Sequence, residues 1–283
     1  NGAEVFLVVA LHCEARPLIE CFGLKKEIDV EPFEVFSNSE VTLIVSGTGK
    51  VRAAAATSFL GARHTGETAP VFFNAGIAGA PPEMKARLGE LYLANRIVDA
   101  GSGRETVPDI LVSTSLPESA VFTFDRPVTQ QLAERPKDAL VDMEGFGFAS
   151  AASFFTGPHA IGCLKVVSDA LEGQRLSREF ATDLMWKNAE EIASHVDKMR
   201  RLQGCLDARV TQEERAWIQA LSSRLRMTKC QLRVLEDAVI ARKALGLGPI
   251  ADVDMEEIAP QPVQTKTEGK QALERARQRL LRA

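Results

Sequence analysis

Three carboxylates in this chain stand where an α/β protein could use them for acid–base chemistry. Val167-Ser-Asp169 closes an apolar run with an acid, at the kind of strand end where open α/β sheets bind ligands. Glu14 follows the first apolar run, and Glu144 lies in Val141-Asp-Met-Glu-Gly-Phe-Gly147, beside glycines that would admit a ligand to the backbone. Cleavage of a glycosidic bond needs this set: an acid to protonate the leaving group, a base to activate water, and an acceptor for the sugar hydroxyls. A carboxyl half-buried at a sheet edge holds its proton nearer neutrality, which is the acid's requirement. On this reading Asp169 is the acid, Glu14 the ionised base and Glu144 the sugar acceptor. The competing reading of Asp169 is a helix N-cap.

Other residues that invite chemistry read differently. Ser46-Gly-Thr-Gly-Lys50 would be a phosphate-cradling loop only with glycine at 44 and Ser or Thr after the lysine, and Ile44 and Val51 stand there. A dinucleotide fingerprint would need glycine where Arg52 is. The segment is therefore a structural turn. His12, His64, His159 and His195 share no ligand spacing, so no metal is expected. Cys13, Cys21, Cys163, Cys205 and Cys230 show no CxxC or Cys/His pattern and read as reduced thiols. Cys13 adjoins Glu14, but no histidine is placed to activate it as a nucleophile. Phe122 and Phe124 are either core aromatics or a stacking surface for a ligand, and Trp186 and Trp217 fall on helical patterns as packing residues.

These side chains need a frame. Up to about residue 200, apolar β-branched runs alternate with amphipathic stretches, the pattern of a sheet with helices on its faces. Strands are expected at 5–11, 41–46, 71–74, 91–98, 120–124 and 161–167, with the small residues 75–79 breaking the third. Helices are expected at 15–22, 51–60, 144–155 and 178–202, and the Gly/Pro/Ser/Thr-rich stretch 99–118 as loop. The fold class is thus α/β, a mixed central β-sheet flanked by helices, with a C-terminal α-helical extension. Residues 1–204 form the α/β domain and 205–283 the extension.

In that extension Thr211 with Glu214, and Thr228 with Gln231, match capping boxes and open two helices at 212–226 and 229–245. A linker at 259–268 and a basic helix at 269–282 follow. The apolar stripe Trp217, Leu221, Leu225, Leu232, Leu235 and Val239 is more than one hairpin can bury, which favours docking on another subunit or protein. The hairpin has the spacing of a helix-turn-helix without the usual turn glycine, so it reads as a packing unit with no nucleic-acid partner expected, and the basic terminal helix reads as a solvated face rather than a membrane anchor. A formal charge of −4 over 283 residues gives no electrostatic footprint for whole-chain binding to nucleic acid or membrane. An apolar content of 45% is enough for a core, and no run approaches the ~20 residues of a membrane span. With no secretory start, a cytoplasmic location is expected.

Five blocks occur in an order that resembles the nucleoside phosphorylase/nucleosidase superfamily: Val9-Ala-Leu-His-Cys-Glu14, Ser46-Gly-Thr-Gly-Lys50, Asn74-Ala-Gly-Ile-Ala-Gly79, Asp142-Met-Glu144 and Val167-Ser-Asp169. The chain looks most like its hydrolase branch, which includes methylthioadenosine/S-adenosylhomocysteine nucleosidase and futalosine hydrolase. The resemblance covers about residues 4–200. It implies that Asp169 protonates N7 of a purine with Ser168 orienting it, and that Glu14 positions or activates water. Met143 would pack on a ribose whose 2′ and 3′ hydroxyls Glu144 binds, with Ala75, Gly76 and Ile77 lining the sugar and Phe122 a candidate for the base. It implies no cofactor and a homo-oligomer. Asn74 and Ile77 stand where phosphorolytic members hold phosphate, which argues for water as nucleophile, although Arg16, Arg52 and Arg104 could supply charge. The alternatives are a phosphorylase and a nucleoside-binding scaffold without turnover.

Overall fold

The computed structural model describes residues 3–66, 68–132, 135–173, 176–207, 210–258, 263 and 265–281, the side chains of 206, 207, 229, 230, 244 and 266 excepted. Contacts divide the chain into two compact units, Asn1–Cys205 and Leu206–Ala283.

In chain order the first unit holds β1 (Val5–Val9), α1 (His12–Phe22), β2 (Lys25–Lys26), β3 (Glu34–Ser37), β4 (Val41–Val45), α2 (Lys50–Arg63), β5 (Val71–Gly79), β6 (Leu91–Asp99), β7 (Glu105–Thr106), β8 (Glu118–Thr123), β9 (Leu140–Asp142), α3 (Gly145–Ala152), β10 (Ile161–Asp169) and most of α4 (Arg178–Asp207). Every residue of β1 is buried, as expected for a strand covered on both faces. β1 runs parallel between β4 and β5, and β10 runs parallel to β5 on its other side. The sheet then curls on itself through β10–β6–β8–β9 and back to β5 by the single pair Gly79–Val141, closing a ring of five strands.

Strand alternation sends apolar side chains to both faces. Leu7, Phe73, Leu164 and Val166 pack under α1 and α4 with Leu18, Met185 and Ile192. Phe6, Val8, Phe72 and Cys163 pack under α2 and α3 with Ala56, Leu60 and Phe148. Phe72 and Phe73 are fully buried, each worth about 2–3 kcal/mol of apolar transfer.

The mixed sheet with flanking helices is as the sequence indicates, but several boundaries differ for physical reasons. The small residues 75–79 do not break β5. The strand continues to Gly79, because β10 pairs with it throughout. α1 starts at His12, three residues early, which puts Glu14 in its first turn. The loop at 99–118 contains the two-residue β7, and Trp186 is 41% exposed rather than packed.

The second unit holds α5 (Gln212–Leu225), α6 (Lys229–Ala244), α7 (Met255–Ile258) and α8 (Lys266–Leu280). Three capping boxes, at Thr211, Thr228 and Thr265, start α5, α6 and α8, so α8 begins inside the stretch read as linker. Residues 259–262 and 264 of that stretch lie outside the described residues. The apolar stripe is covered from within the unit: Ile250, Val253, Ile258, Ala272, Ala276 and Leu280 close over Trp217, Leu221, Leu225, Leu235 and Val239. The case for an external cover of that stripe therefore falls.

Candidate active site

The turn from β1 into α1 lifts Glu14 over the C-terminal ends of the parallel strands. Its Oε2 accepts the Leu11 N–H at 3.0 Å and its Oε1 the Ile77 N–H at 3.1 Å, so one carboxylate ties α1 to β5. Glycine at 76 gives this approach room, since a Cβ there would stand 3.3 Å from Oε1, tighter than most such contacts. Glu14 is 3% exposed, and burial pushes its carboxyl above the usual carboxylate range against the pull of the Ile77 amide and the Lys165 charge.

Glu144 occupies the N-cap position of α3 but leaves the capping role unused. Its Oε1 reaches across instead to accept the Gly49 N–H at 2.7 Å. Gly49 has φ 104, a conformation that favours glycine, and this turns its amide toward the acid. Only a glycine at 147 lets α3 sit there, because a Cβ would stand 2.1 Å from the Lys50 carbonyl oxygen at the start of α2. Burial raises Glu144 to about 7, with Lys165 opposing and Asp142 and Glu14 adding to the rise. Glu14 and Glu144 thus lie within electrostatic reach of each other.

Beneath them is a residue the sequence reading passed over. Lys165 lies in β10 among apolar neighbours, 1% exposed, with Nζ 2.7 Å from Asp142 Oδ2. Burial alone would lower its pKa. Asp142, then Cys163 and Glu144, outweigh that and hold it above the usual lysine range. Asp142 has two further partners: Oδ2 also accepts the Gly145 N–H at 2.8 Å, and Oδ1 accepts the Thr123 hydroxyl at 2.7 Å. The signal in the sequence was a lone lysine inside the run 161–167, since a lysine in a strand covered on both faces must meet a carboxylate.

Asp169 ends β10, paired with Gly79 after a register shift. Its Oδ1 accepts the Leu171 N–H at 2.8 Å, and Ser168 Oγ lies 2.7 Å from Oδ2 and 3.1 Å from the Ala78 carbonyl. Ser168 and Asp169 line an open cavity of about 500 Å³ together with Ala80, Pro81, Lys85 and Phe180. Glu14, Glu144, Met143 and Phe122 are not among its lining. Gly76 and Gly79 are three residues apart on β5, so their Cβ directions alternate, and Glu14 and Asp169 approach the strand from opposite faces. Along the strand, Ile77 and Gly79 mark their positions about 7 Å apart.

The remaining candidates divide. Ala75 is buried in the sheet, and Ile77 and Met143 are half-buried. Phe122 is half-buried with the Arg96 guanidinium over its ring at 5.9 Å. The lysine of the glycine-rich turn is committed elsewhere, Lys50 Nζ lying 2.5 Å from Asp99 and 3.0 Å from Asp125. Arg16 pairs with Glu20, Arg104 lies over Phe146, and Arg52 folds over Gly47. Burial and Glu14 push the Cys13 thiol up, away from a thiolate. Cys13, Cys21, Cys163 and Cys205 are free, and the Cys230 side chain lies outside the described residues. Among the described residues no group of three His, Cys, Asp or Glu side chains is placed to hold a metal ion, and no helix is long and apolar enough to cross a membrane.

No family model matches this chain, and no curated protein does. Solved structures do match. The 5′-methylthioadenosine/S-adenosylhomocysteine nucleosidase of Helicobacter pylori, in complex with butyl-thio-DADMe-Immucillin-A, superposes with a TM-score of 0.59 at 18% identity, over 69% of this chain and 98% of its own. Futalosine hydrolase of the same organism gives 0.58 at 18% identity, over 69% and 97%. The 5′-methylthioadenosine nucleosidase of Arabidopsis thaliana in apo form gives 0.57 at 19%, over 69% and 96%. The chain therefore contains a nucleoside phosphorylase/nucleosidase-like fold. In each case nearly the whole of the other protein is matched, while almost a third of this one extends beyond it.

Proposed function

We propose that the first unit hydrolyses the N-glycosidic bond of a purine ribonucleoside or a 5′-modified derivative. The observation that carries this reading is the burial of Glu14 and Glu144 together over the Lys165 charge, at the strand ends where Asp169 opens onto a cavity. A nucleoside lying across that rim would meet both sides of β5. Asp169, oriented by Ser168, gives its proton to N7 of the base as the C1′–N9 bond breaks and the sugar becomes oxocarbenium-like. Glu14 takes a proton from the water that adds to C1′, leaving ribose and free base. Glu144 accepts from the 2′ and 3′ hydroxyls, Met143 packs on the sugar, Ala75, Gly76 and Ile77 line it, and Phe122 is carried as the base contact.

The nucleosidases named above supply the fold analogy, and their substrates are methylthioadenosine, S-adenosylhomocysteine or futalosine by name. Water rather than phosphate is supported by the use of the Gly49 amide on Glu144 and of Lys50 on two aspartates. Those groups would otherwise make an anion cradle in the glycine-rich turn. A homo-oligomer belongs to the same proposal. The test is release of free base from a panel of purine nucleosides, with and without inorganic phosphate. Release in both conditions supports hydrolysis, a strict phosphate requirement replaces it with phosphorolysis, and tight binding without release at any pH leaves a scaffold.

A further inference from the structure

The chain's charge is not evenly spread. Residues 206–283 carry 14 Lys and Arg against 11 Asp and Glu, a net of +3, which leaves −7 on residues 1–205. Within the second unit the excess sits on α8, whose sequence has Lys266, Lys270, Arg275, Arg277 and Arg279 against Glu268 and Glu274.

α8 is built to present one face. Its buried side is made of Gly269, Ala272, Ala276 and Leu280, spaced at helical intervals, and the small size of the first three brings the helix close. A Cβ on Gly269 would stand 3.6 Å from the Leu225 carbonyl oxygen at the end of α5. On the side toward α7 the cations are engaged, Arg279 with Glu257 at 3.1 Å and Arg275 Nε with the Ile258 carbonyl at 3.4 Å. The outward side carries Thr267, Lys270, Gln271, Glu274, Arg277 and Gln278, all exposed, with Arg277 3.9 Å from Glu274 and Gln278 donating to it at 3.3 Å. Arg226, also exposed, follows Leu225 and so adds a further cation near the first turns of α8.

We infer that the second unit binds duplex DNA, with α8 as the helix that enters the major groove. The outward side of α8 bears long cationic and amide side chains and no large apolar one. Protein-docking faces carry aromatic or aliphatic anchors at their centre, and this one has none. Lys and Arg neutralise phosphates, Gln reads adenine edges and Arg guanine edges, and the B-form major groove admits an α-helix. The A-form groove of duplex RNA is too narrow for one. The core of the unit is closed, so α8 stands on a finished support. The acidic total of the whole chain conceals this face.

Fluorescence anisotropy of the full chain with a labelled mixed-sequence DNA duplex three helical turns long tests the inference. Binding is expected in the micromolar range at about 50 mM salt, weakening roughly a hundredfold by about 200 mM if four phosphates are contacted. Lys270→Glu with Arg277→Glu should weaken it at least about tenfold and reduce the salt slope by about two. Glu274→Lys should tighten it, a gain that misfolding cannot mimic. No anisotropy change at about 100 μM protein, indifference to all three substitutions, or equal affinity for polyglutamate of matched length would each overturn it. Base release by the first unit is a separate readout, so failure of either proposal leaves the other standing.

Discussion

Lys165 and Asp142 form an ion pair at 2.7 Å whose side chains are 2% and 0% exposed, directly beneath the two glutamates of the candidate site. A buried pair contributes little over an apolar one, but a buried charge that has lost its partner is costly. Lys165→Met should therefore destabilise the first unit by about 3–5 kcal/mol in urea unfolding. Adding Asp142→Asn, which removes the unpaired charge and keeps one amide oxygen to accept from either Thr123 or Gly145, should recover part of the loss. A loss under about 1 kcal/mol for the single variant would mean that water reaches the pair.

Glu144 titrates near 7 because it is buried, whereas an ordinary glutamate titrates at 4.5. The folded chain therefore holds this proton more tightly than the unfolded chain does. The stabilisation is complete below about 4.5 and is lost as pH rises through 7. Relative to Glu144→Gln, the native protein should lose roughly 3 kcal/mol between those limits. Urea midpoints of the two proteins at a series of pH values check the slope, and parallel curves would contradict it.

The same titration should appear in substrate binding. A carboxylate accepts sugar hydroxyls more strongly than a carboxylic acid, so KM for a cleaved nucleoside should fall as pH rises through about 7. In Glu144→Gln the step should vanish from KM. A step that persists in the variant belongs to another group.

Gly76→Ala would place a methyl group 3.3 Å from Glu14 Oε1, tight enough to push the carboxylate off the Ile77 amide. Base release should drop in kcat by about tenfold or more, as expected when a catalytic group shifts by a fraction of an ångström. The melting temperature should move by only a few degrees. An unchanged kcat would remove Glu14 from the water-activating role.

Removal of residues 265–283 takes Ala272, Ala276 and Leu280 out of the second core and uncovers Trp217 and Leu221. Residues 210–258 should then become sensitive to limited proteolysis while the first unit keeps its resistance. Equal resistance in both forms would show that α5, α6 and α7 close their core without α8.

Much of the frame was legible because long apolar, β-branched runs leave few other readings. The runs at 5–11, 41–46 and 161–167 became β1, β4 and β10 in this way. Short strands were not legible. β2 and β7 have two residues each, and β9 has three, too few for any period to register. The expectation that small residues end β5 failed because pairing with β10 supplies what local propensity lacks. Glu14, Glu144 and Asp169 could be picked out by type and by neighbouring glycines. That the first two share a charged floor, while the third opens on the other face of β5, depends on the register of β10, which no local pattern encodes. Lys165 was missed because it was read as part of an apolar run. The tail's apolar stripe misled because its cover comes from residues further along the chain, between Ile250 and Leu280.

Between Gly147 and the Lys50 carbonyl there is room for a hydrogen atom and nothing larger. α2 and α3 consequently lie close together where they start, and the Gly49 amide at the head of one is bonded to Glu144 at the head of the other. If Glu144 is the sugar acceptor proposed above, that bond holds its carboxyl in place before any ligand arrives, which lowers the ordering cost of binding.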